Sequence, residues 1–376
     1  MLYFDFNATT PVIPAARQAW LDATDQFAGN PSSQHRVGTR TDHALNEARD
    51  FLADYLGCTA DSLVWTSGAT ESNNTVLHHA HATLPDDAEV WISAIEHPCV
   101  MQSTRRFFPQ SHRLIPVSPS GVVDLDWLSH ELADRRPGLV AVMAANNETG
   151  ILQPWQEILV MCQQYEVPFL CDAVQWIGKL PPAGLGQCDY LSGCAHKFGG
   201  PKGIGFLKVP SGRPVKPLLV GGPQEEGRRA GTENVAGVLS MIAALRHRAE
   251  LIDRGEHESR LQMRRRFEEG LLSRLPESRL TGGDVPRLWN TVSAIMPQTD
   301  CRVRWVVKLD KLGYAVSTGS ACSSGKEEPS HVLSALGLLP GEAGRVLRFS
   351  SGWETTEEQW NELLEGLLKA RTLMEG

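Results

Sequence analysis

A series of short apolar runs, each parted from the next by a helix-length segment, limits this chain to few architectures. Residues 62–66 (SLVWT), 89–93 (EVWIS), 139–143 (LVAVM), 167–171 (VPFLC) and 204–208 (IGFLK) form the series. Runs this short and continuous suit strands buried on both faces, which means a mostly parallel sheet covered by helices. Such open sheets bind ligands beyond the carboxyl ends of their strands. Polar residues gather at those positions here: Gly68-Ala69-Thr70, Glu96-His97, Asn146-Asn147-Glu148 and Asp172 each follow a run. A helical pattern rich in Arg and Glu begins near Glu233, is interrupted at Gly255 and reaches about Leu275, as a helix exposed along one face would. Beyond Pro276 the character changes to a smaller α+β unit, with strands expected at 290–295 and 345–349 and a last helix over 357–373. The expected division is a large unit over 16–252 and a small unit made of 1–15 and 253–376.

Within that frame the stretch 192–203 (SGCAHKFGGPKG), shortly after 169–175 (FLCDAVQ), carries the most chemistry. An acid at a strand end followed by a His-Lys pair in a glycine-rich turn is what pyridoxal phosphate (PLP) requires. The lysine holds the cofactor aldehyde as a Schiff base, and the acid keeps the ring nitrogen protonated so that the ring accepts electrons. Asp172, buried at the end of an apolar strand, needs a cationic or donor partner, and Gln175 can donate to the ring oxygen. Thr66 to Asn74 opens a helix after a strand, and its N–H groups and hydroxyls make either a phosphate cup or an ordinary helix cap. His97 is either a ring-facing acid/base or a structural histidine. Arg348 interrupts an apolar strand, which suits a bidentate carboxylate ligand or a solvated arginine. A third piece, 319–325 (GSACSSG), presents Cys322 among small residues that build no core around it. A thiol on a loop beside an electron sink points to sulfur chemistry.

Composition narrows the setting. Charged residues make up 21% of the 376 and the net charge is −8, which argues against a general nucleic-acid-binding surface. The N-terminus has no basic region followed by an apolar one, and no run approaches the ~18 apolar residues of a membrane span. The eight cysteines are scattered and form no C-x-x-C pair, a pattern of reduced thiols rather than of disulfides or a metal site. A cytoplasmic location is the expectation, with neither membrane nor nucleic acid as a direct partner.

Taken in order, these stretches resemble the NifS/IscS-type cysteine desulfurases, PLP-dependent and class-V-aminotransferase-like, over nearly the full chain. The matching segments are DFNATTP (5–11), GNPSS (29–33), TSGATE (66–71), EHP (96–98), NNETG (146–150), DAVQ (172–175), HK (196–197), RAGTEN (229–234), GSACSSG (319–325) and RFS (348–350). The resemblance implies a fold-type I PLP enzyme with a seven-stranded, mostly parallel sheet, working as a homodimer. It implies that Lys197 binds PLP covalently, Asp172 pairs with the ring nitrogen, Gln175 meets the ring oxygen, and His97 stacks on the ring as acid/base. Asn147 would lie beside the cofactor. Ala69, Thr70, Cys194 and His196 would hold the phosphate, with Thr232 reaching it from the other subunit. Arg348, with Asn7 nearby, would bind the substrate carboxylate. Cys322 would take sulfur from L-cysteine as a persulfide, release alanine and pass the sulfur to an acceptor protein for iron–sulfur assembly, thiolation or DNA sulfur modification.

Two positions depart from the family pattern. Cys194 stands where serine is usual, and a thiol is the weaker donor to a phosphate. Glu226 stands where arginine is common, reversing the charge before Thr232, with Arg228 and Arg229 placed to compensate. Two other readings stand beside the desulfurase: a lyase acting on selenocysteine or cystine, which needs no Cys322, and a catalytically inert protein that only docks partners.

Overall fold

The computed structural model describes residues 1–299, 304–318 and 330–375. After a two-residue β1 (Leu2–Tyr3), the chain lays down β2 (Leu63–Thr66), β3 (Val90–Ser93), β4 (His112–Ile115), β5 (Leu139–Ala141), β6 (Phe169–Asp172), β7 (Tyr190–Cys194) and β8 (Gly205–Lys208). These last seven form one sheet in the order β2-β8-β7-β6-β5-β3-β4. Only β8 runs against its neighbours; the other pairs are parallel. Every residue of β2, β3, β5, β6, β7 and β8 is buried, as the apolar runs require. One apolar core on one face includes Leu52, Trp91, Phe169 and Leu245, and another on the opposite face includes Val76, Ile92 and Leu170.

Two strands of this sheet escape the sequence pattern, for different reasons. The edge strand β4 is only half covered and reads His-Arg-Leu-Ile, so it lacks a continuous apolar run. β7 reads Tyr-Leu-Ser-Gly-Cys; its small residues make room for neighbours. A Cβ at Gly193 would lie 2.5 Å from the Phe206 ring.

The remaining strands, β9 (Arg279–Leu280), β10 (Thr291–Ile295), β11 (Tyr314–Ala315), β12 (Ser317–Thr318) and β13 (Val346–Ser350), belong to the second unit. β12, β13, β10 and β9 make an antiparallel sheet in that order, while β1 pairs in parallel with β11. Its own core contains Phe4, Phe267, Val292, Phe349, Trp360 and Leu367, so the extreme N-terminus packs here.

The expected long helix is two, Val235–Asp253 and Glu256–Arg274, broken at Gly255, whose φ of 71° suits glycine. The exposed character expected of the whole stretch applies to the second helix. The first is buried along Val238, Met241 and Leu245 in the large core, packed against Pro14–Gln26. Among the described residues, no helix is long and apolar enough to cross a membrane.

Candidate active site

The carboxyl ends of β2, β3, β5, β6 and β7 surround a cavity of about 480 Å³. Nearly all the residues singled out in the sequence line it: Asn7, Ala69, Thr70, His97, Asn147 and Asp172 on one count, then Gln175, Cys194, His196, Lys197 and Arg348. Two do not join them. Thr232 is exposed and lines a separate surface groove with Thr24, Phe27 and Pro31, and Cys322 lies outside the described residues.

One wall of the cavity comes from the large sheet alone. Helix Ala69–Thr83 begins at Gly68, whose φ of 149° favours glycine, and no side chain caps its first turn. Its first amide groups are thereby left as donors, which suits an anion. Gly205 lets the backbone pass close behind, since a Cβ there would sit 2.7 Å from the Gly68 Cα. Asp172 closes β6, buried, with Oδ2 accepting from Asn73 Nδ2 at 2.8 Å and Oδ1 from the Val174 N–H at 3.1 Å. Each oxygen keeps capacity for a further donor.

His97 caps helix Pro98–Phe107, its Nδ1 accepting from the Cys99 N–H at 3.2 Å and lying 3.0 Å from Cys99 Sγ. Burial holds its imidazole below the usual range; Asp172 opposes that shift, while Lys197 and His331 add to it. His196, 3.2 Å from Thr9 Oγ1, is pushed down to about 4 by burial and then by Lys197, Lys202 and His97, and so is neutral at pH 7. Burial pushes the Cys194 thiol up to about 12, so it faces the cavity as a thiol. Lys197 Nζ donates to the carbonyls of Asn7 at 2.6 Å and Ala8 at 2.8 Å.

The opposite wall is assembled from distant segments. Arg348, on β13 and 1% exposed, donates through Nη2 to Asp5 Oδ1 at 2.6 Å and through Nη1 to the Asn147 carbonyl at 2.8 Å. Its buried Nε has no partner among the described residues. The Asn7 side chain is fully engaged by protein: Nδ2 donates to Thr291 Oγ1 and the Asn147 carbonyl, and Oδ1 accepts from Lys179 and Asn290. Asn7 therefore ties this wall together and lies near Arg348 rather than presenting a free amide. Gln175 Nε2 donates to the Asn7 carbonyl at 3.0 Å while its Oε1 accepts from Lys179 Nζ.

Sequence reasoning missed Asn73, Cys99, Lys179 and Asp5 as members of these walls. A signal existed for two. Asn73 lies one helical turn after Ala69, and Lys179 follows Gln175 by four residues. Lys179 is buried, and its ammonium is held well below the ordinary range by burial first and then by Lys197 and Arg348. Glu226 does not line the cavity of its own chain: it is exposed and lies 3.5 Å from Arg228. Its neighbour Glu225 is the buried one, paired with Arg49 at 2.9 Å and accepting from the Trp65 N–H.

These groups fit PLP. The uncapped helix start suits a phosphate, Asp172 retains acceptor capacity for a ring N–H, and the Lys197 amine lines the same cavity.

The comparisons with known proteins agree. A family model described as aminotransferase class-V matches residues 2–363. A cysteine desulfurase of Cereibacter sphaeroides is 38% identical over 372 residues, covering 97% of this chain and 94% of that protein. A solved NifS-like protein superposes with a TM-score of 0.88 at 31% identity, over 99% of both chains. The structure titled SspA in complex with cysteine gives 0.80 at 28% identity, over 95% of this chain and 100% of that one. A mostly parallel seven-stranded sheet, a lysine and an aspartate facing one cavity and these relatives lead to one conclusion: the chain belongs to the class-V aminotransferase family, among its PLP-dependent cysteine desulfurases.

Proposed function

We propose that this enzyme acts on L-cysteine, releasing alanine and leaving the sulfur as a persulfide on Cys322. The observation that carries the assignment of roles is the convergence of Lys197, Asp172, His97 and Arg348 on one cavity. When bound, PLP supplies an electron sink for charge that develops at the substrate Cα. Asp172, oriented by Asn73 and the Val174 N–H, would hold the ring nitrogen proton. Gln175 would meet the ring oxygen and His97 would lie against the ring, with Asn147 beside it; all three line the cavity. Ala69, Thr70, Cys194 and His196 would receive the phosphate. Arg348 binds the substrate carboxylate, trading or sharing its contact with Asp5. Lys197 carries the amine that moves the Cα proton, and the carbonyls of Asn7 and Ala8 keep it in place while it is charged.

The sulfur step balances without an external oxidant. The Cys322 thiolate attacks the substrate sulfur, an S–S bond forms as the C–S bond breaks, and the carbon side takes up a proton to leave as alanine. The persulfide is then the sulfur source for an acceptor protein. A homodimer, with Thr232 completing the partner's phosphate site, is part of the same reading; the exposure of Thr232 away from its own cavity supports it. So is a cytoplasmic setting. The separate apolar cores support a division into 16–252 and 1–15 with 253–376 in outline: Phe4 packs in the small core, although Ile13 already packs in the large one.

The test is incubation of the purified protein with L-cysteine, assaying alanine and protein-bound sulfur beside Lys197→Ala and Cys322→Ser. Wild type should yield alanine and both variants should not. Pyruvate as product, or activity that survives Cys322→Ser, would sink the desulfurase mechanism in favour of a lyase.

A further inference from the structure

Beside the residues assigned above lies a chain of contacts without an assigned role: Asp172 to Asn73 to Cys99 to His97. Asn73 Nδ2 carries two hydrogens and has two acceptors, Asp172 Oδ2 at 2.8 Å and Cys99 Sγ at 3.3 Å. Cys99 Sγ in turn lies 3.0 Å from His97 Nδ1, and both Cys99 and His97 line the cavity.

The backbone decides the direction of that last contact. The Cys99 N–H also points at His97 Nδ1, at 3.2 Å, and an N–H can only donate. Nδ1 is therefore an acceptor, the thiol is its second donor, and the ring proton sits on Nε2. We infer that Cys99 is a positioning residue, which through Asn73 and Asp172 holds His97 as the neutral Nε2–H tautomer and makes it a proton donor toward the cavity. The inference rests on His97 being a catalytic group and sharpens its part. In the resting enzyme neither ring nitrogen is open to receive a proton, so the proton leaving the substrate Cα goes to Lys197 and the one His97 supplies comes from Nε2. Two facts agree with the direction. Burial, with Asp172 adding to it, raises the Cys99 thiol to about 12, so it keeps the hydrogen it must donate. Asn73 supplies the sulfur with a donor of its own, which polarises the S–H toward nitrogen.

A hydrogen bond to the neutral imidazole disfavours its protonation, so deleting the thiol should raise the histidine's titration point. The other charged or titratable groups facing His97 stay in place: Asp172 at the end of β6, Lys197, His196, and His331, whose ring contacts the Glu96 carbonyl at 2.8 Å.

The experiment is 15N NMR of the histidine-labelled holoenzyme, with the His97 signals identified by their loss in His97→Gln, repeated for Cys99→Ala and Cys99→Ser. Expected are an unprotonated Nδ1 and a protonated Nε2 in wild type. In Cys99→Ala the titration midpoint should move up by about half to one pH unit, the equivalent of one neutral hydrogen bond, and Cys99→Ser should restore it. The acid limb of alanine formation against pH should move with it. A protonated Nδ1 in wild type, or a midpoint that Cys99→Ala leaves in place, overturns the inference. The NMR signals do not depend on turnover, so a protein that made no alanine would refute the proposed reaction while still testing the tautomer.

Discussion

The two walls of the cavity are built by opposite strategies. The wall with Asp172, Asn73, His97 and Cys194 comes from the ends of neighbouring strands of one sheet and the helix that follows β2. Its geometry is inherited from the sheet, because adjacent parallel strands end side by side at a fixed spacing of roughly 4.8 Å. The wall with Arg348, Asp5, Asn7 and Lys179 joins the N-terminus, the second sheet and the turn after β6. Its bonds span up to 343 positions of sequence. Charge is managed differently too. The first wall buries an acid among neutral donors, whereas the second buries a lysine that bonds two amide oxygens, Asn7 Oδ1 and Gln175 Oε1, next to an arginine that has Asp5 as its carboxylate. Local construction makes a rigid cradle, and long-range construction makes a site that exists only when both units are docked.

That contrast is open to direct attack. The largest effect is expected from Arg348→Lys, which keeps the charge but loses the planar fork that bonds Asp5 and the Asn147 carbonyl together. We expect kcat/KM for L-cysteine to fall about tenfold to a hundredfold, mostly through KM. An unchanged KM would remove Arg348 from carboxylate binding. Next comes Lys179→Met, which strips the cation from Gln175 Oε1 and Asn7 Oδ1. Turnover should fall by about tenfold, the loss of one charge-assisted hydrogen bond of roughly 1.5 kcal/mol, while the melting temperature holds or rises because a desolvated ammonium is gone. A sharp drop in melting temperature with unchanged kcat would instead make Lys179 purely structural.

The smallest effect lies behind the first wall. Burial pushes the Glu96 carboxyl up to about 8, opposed by Ser93 and the Met143 N–H that bond its Oε1. Its folded value is raised above the unfolded one, so the stability it contributes is present at low pH and is lost as pH rises from the ordinary carboxyl range through about 8. Glu96→Gln lacks that loss. Melting curves for the two proteins should diverge as pH rises from 5 to 8, the variant being the more stable at the upper end. Parallel curves would show that Glu96 ionises freely in the folded protein.

The large sheet was readable because burial on both faces writes an apolar run into the chain. β4 was not, since an edge strand is covered on one side only, and β7 was not, since Ser192, Gly193 and Cys194 are selected for close packing rather than hydrophobicity. In the cavity, Asp172, His97 and Lys197 announced themselves as polar groups at strand ends. Asn7 was placed by resemblance as a neighbour of the substrate carboxylate, and its actual partners, Lys179 on one segment and Asn290 with Thr291 on another, are connected to it by no local pattern.

Chemical identity was thus settled by the order of residue types along the chain: an acid closing a strand, a His-Lys turn, a glycine-opened helix and a lone thiol among small residues. Which atoms meet was settled by folding. A hydrogen bond requires partners to within a few tenths of an ångström, and the loop lengths between Asp5 and Arg348, or between Asn73 and Asp172, carry no such information until the strands pair and the two cores close. The tautomer of His97 is of the second kind, because it depends on where one backbone N–H and one thiol come to rest.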